Sequence, residues 1–210
     1  MKHIVLCDGG FPDKVLPLCE RYQLGIEFQS FVNPNDRQEQ DEKIMRHRAA
    51  VPATMESHLH APYHDLCLGS QNREIVRVTR EYFDYAYDVA EKLGCLSMTV
   101  HHGYVPNTSY PENWIKRAAL FWRAFLEDHP GDMHINMENQ LEHGPDMLMR
   151  LVDAMADERL KLNLDIGHAH CIVGLTLRNG SSSSMSAFIM SIFIRIMVRW
   201  MNIWDCSRGV

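Results

Sequence analysis

Along most of the chain, short apolar runs alternate with longer stretches whose apolar positions recur at helical spacing. Ile4–Cys7 is an apolar run closed by Asp8-Gly9-Gly10, which predicts a strand and then a turn. Asp13 is placed to cap a helix running to about Tyr22, with Val15, Leu16 and Cys19 inward. Leu24–Phe28 reads as a second strand carrying Glu27 within it, Asn33–Asp41 as a polar loop and Glu42–Ala50 as a helix. Met55–His60 is the third predicted strand and leads into HLHAPYHDLCLGS. Ile75–Leu93 is amphipathic, with Val78, Tyr82, Tyr85, Ala86 and Val89 on one face. Leu96–His101 is the fourth strand and runs straight into His102-Gly103-Tyr104; Trp114–Leu126 follows as a helix whose apolar face is Ala119, Phe121, Trp122 and Phe125. His134–Met137 and Leu160–Leu164 are the fifth and sixth strands. They bracket a helix over Pro145–Met155 with Met147, Leu148, Leu151 and Met155 aligned.

Six β-α repeats without the alternation of antiparallel strands predict a parallel sheet, either doubly wound or closed as a (β/α)8 barrel. No GxGxxG loop follows the first strand, which lowers the dinucleotide-binding option. His60, His101, Glu138 and Asp165 end the third to sixth strands in succession, and His168 follows Asp165 by three residues. A closed barrel points that many consecutive strand ends at one spot, so the expected fold is α/β of the (β/α)8 TIM-barrel type over residues 1–174.

The 210 residues suffice for one domain with a sizeable core, and the net charge of −6 argues against a nucleic-acid backbone as partner. The six scattered cysteines form no CxxC pair, and the apolar run in MKHIVLCDGG is too short for a signal peptide; reduced thiols in the cytoplasm are expected.

Imidazole and carboxylate together suit zinc, manganese or iron, and a carboxylate can bridge two ions. A single strand-end histidine commonly just binds a loop carbonyl, and Asp165 alone could cap a helix. The succession His60, His101, Glu138, Asp165 and His168 is what marks a metal site. His58, His64, His102 and His170 read as loop histidines, supporting groups or substrate contacts, and Glu27 as a rim charge or a substrate contact from a barrel interior.

HAPYHDL, VHHGY, the MEN before QLE, and LDIGHAH, in this order, resemble the xylose-isomerase-like TIM-barrel superfamily over about residues 1–174. That group holds sugar isomerases and epimerases and the endonuclease IV class of nucleases. The resemblance implies that His60 and His101 are metal ligands, as in the nuclease branch. It further implies that Glu138 is the bridging or central metal carboxylate and that Asp165 and His168 contact metal or substrate. In the epimerase branch a divalent ion polarises a hydroxy-ketone while a metal-binding glutamate and its counterpart move the proton; Glu138 matches the first of these as a catalytic residue. The implied activity is a zinc- or manganese-dependent sugar or sugar-phosphate isomerase or epimerase acting on a small sugar. An endonuclease-IV-like phosphodiesterase is the alternative, disfavoured by the acidic balance and the lack of a basic, aromatic-studded stretch. An inactive fragment, or a metal binder without turnover, is a third reading. Glu27, His102 and His170 are the substrate-contact candidates, and neither nucleic acid nor membrane is expected as a partner.

After Gly174 the pattern breaks. Asn179–Ser184 reads NGSSSS, and Met185–Trp204 is apolar with Arg195 and Arg199 as its only charges. A membrane anchor is one explanation, although arginines inside a span of about 20 residues are costly. An unusual buried helix is another, and a shifted reading frame is the third. Joining the third base of each codon to the first two of the next obliges Met197-Val198 to give Gly, Trp200-Met201 Asp, Met201-Asn202 Glu and Trp204-Asp205 Gly. Phe193-Ile194 and Asn202-Ile203 give only His or Tyr. With permitted codons elsewhere the hidden frame reads V-H-I-H-x-N-N-G-x-x-D-E-H-L-G-L, which looks like the segment around the seventh strand of this superfamily. The expectation is a frameshift between about Cys171 and Met185 that replaced the end of the barrel with an aberrant tail, 175–210. Two sheet edges would then lie open and favour self-association. The coding DNA checks this directly, since a nucleotide sequence without the hidden reading overturns it.

Overall fold

The computed structural model describes residues 4–34, 40–165 and 168–169. The tail expected to be aberrant, and His170, lie outside the described residues. Strands and helices alternate as β1 (Val5–Cys7), α1 (Pro12–Tyr22), β2 (Gly25–Phe28), α2 (Gln40–Ala50), β3 (Ser57–His60), α3 (Arg73–Leu93), β4 (Ser97–His101), α4 (Pro111–Asp128), β5 (His134–Glu138), α5 (Asp146–Met155) and β6 (Leu160–Asn163).

Local chemistry sets the ends of these elements. Asn72 caps α3, its side chain accepting from the Glu74 N–H at 3.0 Å, and Gly94 ends it at φ +72° with its N–H returned to the last carbonyls. Helix α1 departs from the sequence expectation. Pro12, with φ already preset and no N–H to lose, takes the first helical position, so Phe11 precedes the helix and Asp13 serves as a first-turn acid rather than a cap.

The sheet runs in the order β1-β2-β3-β4-β5-β6, and every pairing is parallel. Each crossover therefore advances in the same direction, and right-handed connections then set all the helices on one face. A doubly wound sheet would reverse direction partway. The six strands and five helices are thus of the TIM-barrel type, with β1 and β6 each pairing on one side only among the described residues.

The two faces of the sheet differ completely in chemistry. Ile26, Phe28, Leu59, Met98, Val100, Ile135, Met137 and Leu160 are buried towards the helices. The alternate positions Glu27, His58, His60, Thr99, His101, Asn136, Glu138 and Asn163 form the polar interior face. The helix-side core centres on Phe83, whose ring lies 5.8 Å from Phe121, 6.0 Å from Trp122 and 6.4 Å from Phe125. The Arg159 guanidinium, held by Asp157 at 2.8 Å, donates to the carbonyls of Leu126, His129 and Gly131 and ties the end of α4 to the start of β6. No helix among the described residues is long and apolar enough to cross a membrane.

His47 is wedged between Phe28 and Phe31, at ring distances of 5.4 and 5.0 Å, and donates from Nδ1 to the Lys43 carbonyl. Burial lowers its pKa below the ordinary 6.5. The folded ring stays neutral at a pH where the unfolded chain takes a proton, so stability present near neutrality is lost as the pH falls below that value. His47→Leu is expected to flatten the decline in urea-unfolding stability between about pH 7 and pH 5. Phe83→Ala should cost about 3–5 kcal/mol in the same assay. Exposed Leu120→Ala should stay within about 0.5 kcal/mol of the parent.

Candidate metal centre

Parallel register brings the strand-end groups together. His60 stands opposite Thr99, His101 opposite Glu138, and Glu138 opposite Asn163, all on the interior face. Glu138 is only 6% exposed. Its Oε1 lies 3.1 Å from His101 Nε2 and 3.1 Å from His168 Nδ1, and its Oε2 accepts from Asn163 Nδ2 at 3.3 Å. A carboxylate so far from water needs the donors that His101 and Asn163 provide.

The turn after β6 is shaped by side chains. The Asp165 N–H donates to Asn139 Oδ1 at 2.6 Å, Asn139 Nδ2 donates back to the Asp165 carbonyl at 3.0 Å, and the His168 N–H donates to Asp165 Oδ1 at 2.7 Å. This hydrogen-bonded turn returns the His168 imidazole over β5. Its ring sits 5.4 Å from that of His101, which in turn is 5.0 Å from that of His60.

Two groups of potential ligands result. His60, His101 and Glu138 each offer an atom within 4.8 Å of the others, and so do Glu138, Asp165 and His168. Glu138 belongs to both. His60 donates from Nδ1 to the Ala61 carbonyl at 2.9 Å, and His168 donates from Nδ1 to the Asn139 carbonyl at 2.8 Å. Carbonyls only accept, so in the neutral ring each places its proton on Nδ1 and its lone pair on Nε2, while in His168 it is Nδ1 that lies towards Glu138 and Asp165. Mixed imidazole and carboxylate donors with preset tautomers fit a borderline divalent cation.

The other residues singled out in the sequence lie elsewhere. Glu27 faces the interior but accepts from Thr99 Oγ1 at 3.0 Å and joins neither group. His58 pairs with Ser97 and Glu56, and His64 is exposed beside the Tyr63 ring. His102 is the first residue beyond β4 and turns towards α4, where it is fully buried with its ring 5.5 Å from Trp114. It accepts the Tyr104 N–H at Nδ1 and donates from Nε2 to Glu142 at 2.9 Å, which leaves no nitrogen for a substrate.

Asn139, Gln140, Glu142 and Asn163 are not singled out as site residues by the sequence reading, although the QLE after the glutamate is part of the matching motif. Gln140 accepts the Gly103 N–H at Oε1 (2.8 Å), and its Nε2 is 2.9 Å from His101 Nδ1. The loops after β4 and β5 also enclose a cleft of about 900 Å³ lined by Asn107, Thr108, Ser109, Glu142 and His143.

A model of the xylose isomerase-like TIM barrel family matches residues 23–188. A search of the curated proteins finds no match. Among solved structures, the chain is similar to an IOLI protein with a bound zinc atom, at 13% identity and a TM-score of 0.67 over 83% of this chain and 66% of that one. It is similar to a D-tagatose 3-epimerase-like protein at 20% identity and a TM-score of 0.60, covering 80% and 67% of the two chains. Endonuclease IV from Thermus thermophilus is also similar, at 20% identity and a TM-score of 0.54 over 80% and 63%. The chain thus spans about two thirds of the length of each of these three proteins. At these identities the likeness is one of fold, and the family follows from the match over most of the chain: this protein belongs to the xylose isomerase-like TIM barrel family.

Proposed function

We propose that the chain is the metal-binding part of a sugar or sugar-phosphate isomerase or epimerase. The observation that carries this reading is the buried Glu138 carboxylate, shared by two groups of ligand atoms at the ends of β3, β4 and β5 and in the turn after β6. His60, His101, Glu138, Asp165 and His168 are the residues that would hold a divalent ion, zinc or manganese. The bound ion supplies Lewis acidity, polarising the carbonyl and hydroxyl oxygens of a hydroxy-ketone.

The protein's own groups supply the rest. Asn163 holds one oxygen of Glu138, and the other lies against the rings of His101 and His168. The carboxylate is thereby fixed as the group that takes a proton from, or returns it to, a neighbouring carbon. The cleft between the loops after β4 and β5 shares no lining residue with the two ligand groups. The zinc atom in the IOLI structure and the epimerase-like description of another relative support the reading. Cys7, Cys19, Cys67 and Cys95 are free thiols, consistent with a reducing cytoplasmic compartment. The β1 and β6 edges are the surfaces through which copies of the chain would self-associate.

A phosphodiesterase of the endonuclease IV kind is favoured only by the sharing of Glu138 between two groups, which suits a pair of ions. The net charge of −6 opposes it. Elemental analysis of the purified chain decides first. Zinc or manganese near stoichiometry is expected in the parent and lost in both Glu138→Ala and Asp165→Ala, after which ketoses are screened for epimerisation and abasic-site DNA for cleavage. A folded parent without metal overturns the reading, and metal retained without turnover reduces it to a binding protein.

A further inference from the structure

The three histidines of the cluster are not prepared alike. His60 and His168 present an unprotonated Nε2, because each gives its Nδ1 proton to a backbone carbonyl. His101 is held the other way. The Gly103 backbone N–H can only donate, and it meets Gln140 Oε1 at 2.8 Å. The other arm of that amide is therefore the NH2, 2.9 Å from His101 Nδ1, which must accept. The ring proton of His101 then resides on Nε2, directed at Glu138 Oε1 3.1 Å away.

Gln140 is not free to shift. Its backbone N–H donates to Glu142 Oε2 at 3.0 Å, and the same carboxylate oxygen accepts from the fully buried His102 at 2.9 Å. Gly103 is pinned as well. It sits at φ +69°, and a Cβ there would lie 2.0 Å from the Leu66 carbonyl oxygen. The β4 and β5 loops thus grip the amide at both ends.

We propose that Gln140 is a positioning residue that keeps His101 bonded to Glu138 until an ion arrives, and that its amide must turn for His101 to become a ligand. This inference rests on the metal-binding reading above. To bind through Nε2, His101 moves its proton to Nδ1, with no net gain or loss of protons by the ring. That Nδ1–H needs an acceptor, and Gln140 supplies one only by rotating its amide and giving up the Gly103 N–H. A glutamate at the same place would accept from Gly103 and from His101 Nδ1–H together, with nearly the same shape. It would set the His101 tautomer to that of His60 and His168 before any metal binds. Groups that orient metal-binding histidines commonly alter affinity by about 10–100-fold.

The test uses the full chain, with 15N-labelled histidine and zinc alone as the probe. In the metal-free parent, NMR should show His101 protonated at Nε2, and Gln140→Glu should shift it to Nδ1 at an unchanged urea midpoint. Zinc affinity, read by competition with a chelator, should tighten about tenfold or more in Gln140→Glu. Gln140→Ala, which leaves Glu138 to accept from Nε2–H, should weaken the tautomer preference without abolishing it and without that gain. A parent ring protonated at Nδ1, or a shifted tautomer with unchanged or weaker zinc binding in Gln140→Glu, overturns the proposal. If neither parent nor variant binds zinc, the functional reading and the metal-linked turn both fail, while the NMR tautomers still decide how Gln140 holds His101.

Discussion

The winding of the sheet in one direction is the constraint on which the rest of the structure depends. Because every crossover places its helix on the same face, that face must be apolar along all six strands, and the other is released from packing against helices. What fills the released face is almost wholly polar, and its members satisfy one another. Thr99 binds Glu27, and Ser97 binds both His58 and Asn136. Buried polar groups are tolerable only when satisfied in this way, so the interior is a linked network and not a set of separate charges.

At the carboxyl ends of the strands the network narrows onto Glu138. Its polar neighbours come from β4, β6 and the turn beyond β6, so the carboxylate senses the position of three chain segments at once. The loops after β4 and β5 are coupled again one layer outward, through Gly103, Gln140, Glu142 and His102. The end of β4 and the loop beyond it thereby cooperate. His102 braces the loop that aligns Gln140, and Gln140 orients the neighbouring His101 on the interior face.

Much of this was legible in the sequence because periodicity reports which side of an element is covered. The amphipathic pattern of α3, the aromatic face of α4 and the carboxylates closing β5 and the turn after β6 all follow from spacing that a linear reading can detect. His101 and His102 look equivalent in a string of letters, yet the strand ends between them, so one stays on the interior face and the other turns to pack against Trp114. Gln140, Glu142 and Asn139 were harder. Their roles come from hydrogen bonds between loops far apart in sequence, which leave no period behind. The start of α1 turned on a competition between an acid suited to capping and a proline suited to the first turn, and the proline prevailed.

The order of strands in space is also the order in which a ribosome delivers them. Each new strand finds its only preceding partner already made, so the sheet can grow vectorially, one β-α unit at a time, without waiting for a distant segment. Contacts that span few residues keep the entropy of each closure small. The candidate ligands then accumulate in sequence: His60, then His101, then Glu138, with Asp165 and His168 last. The chain acquires its stability early in synthesis and its chemistry late.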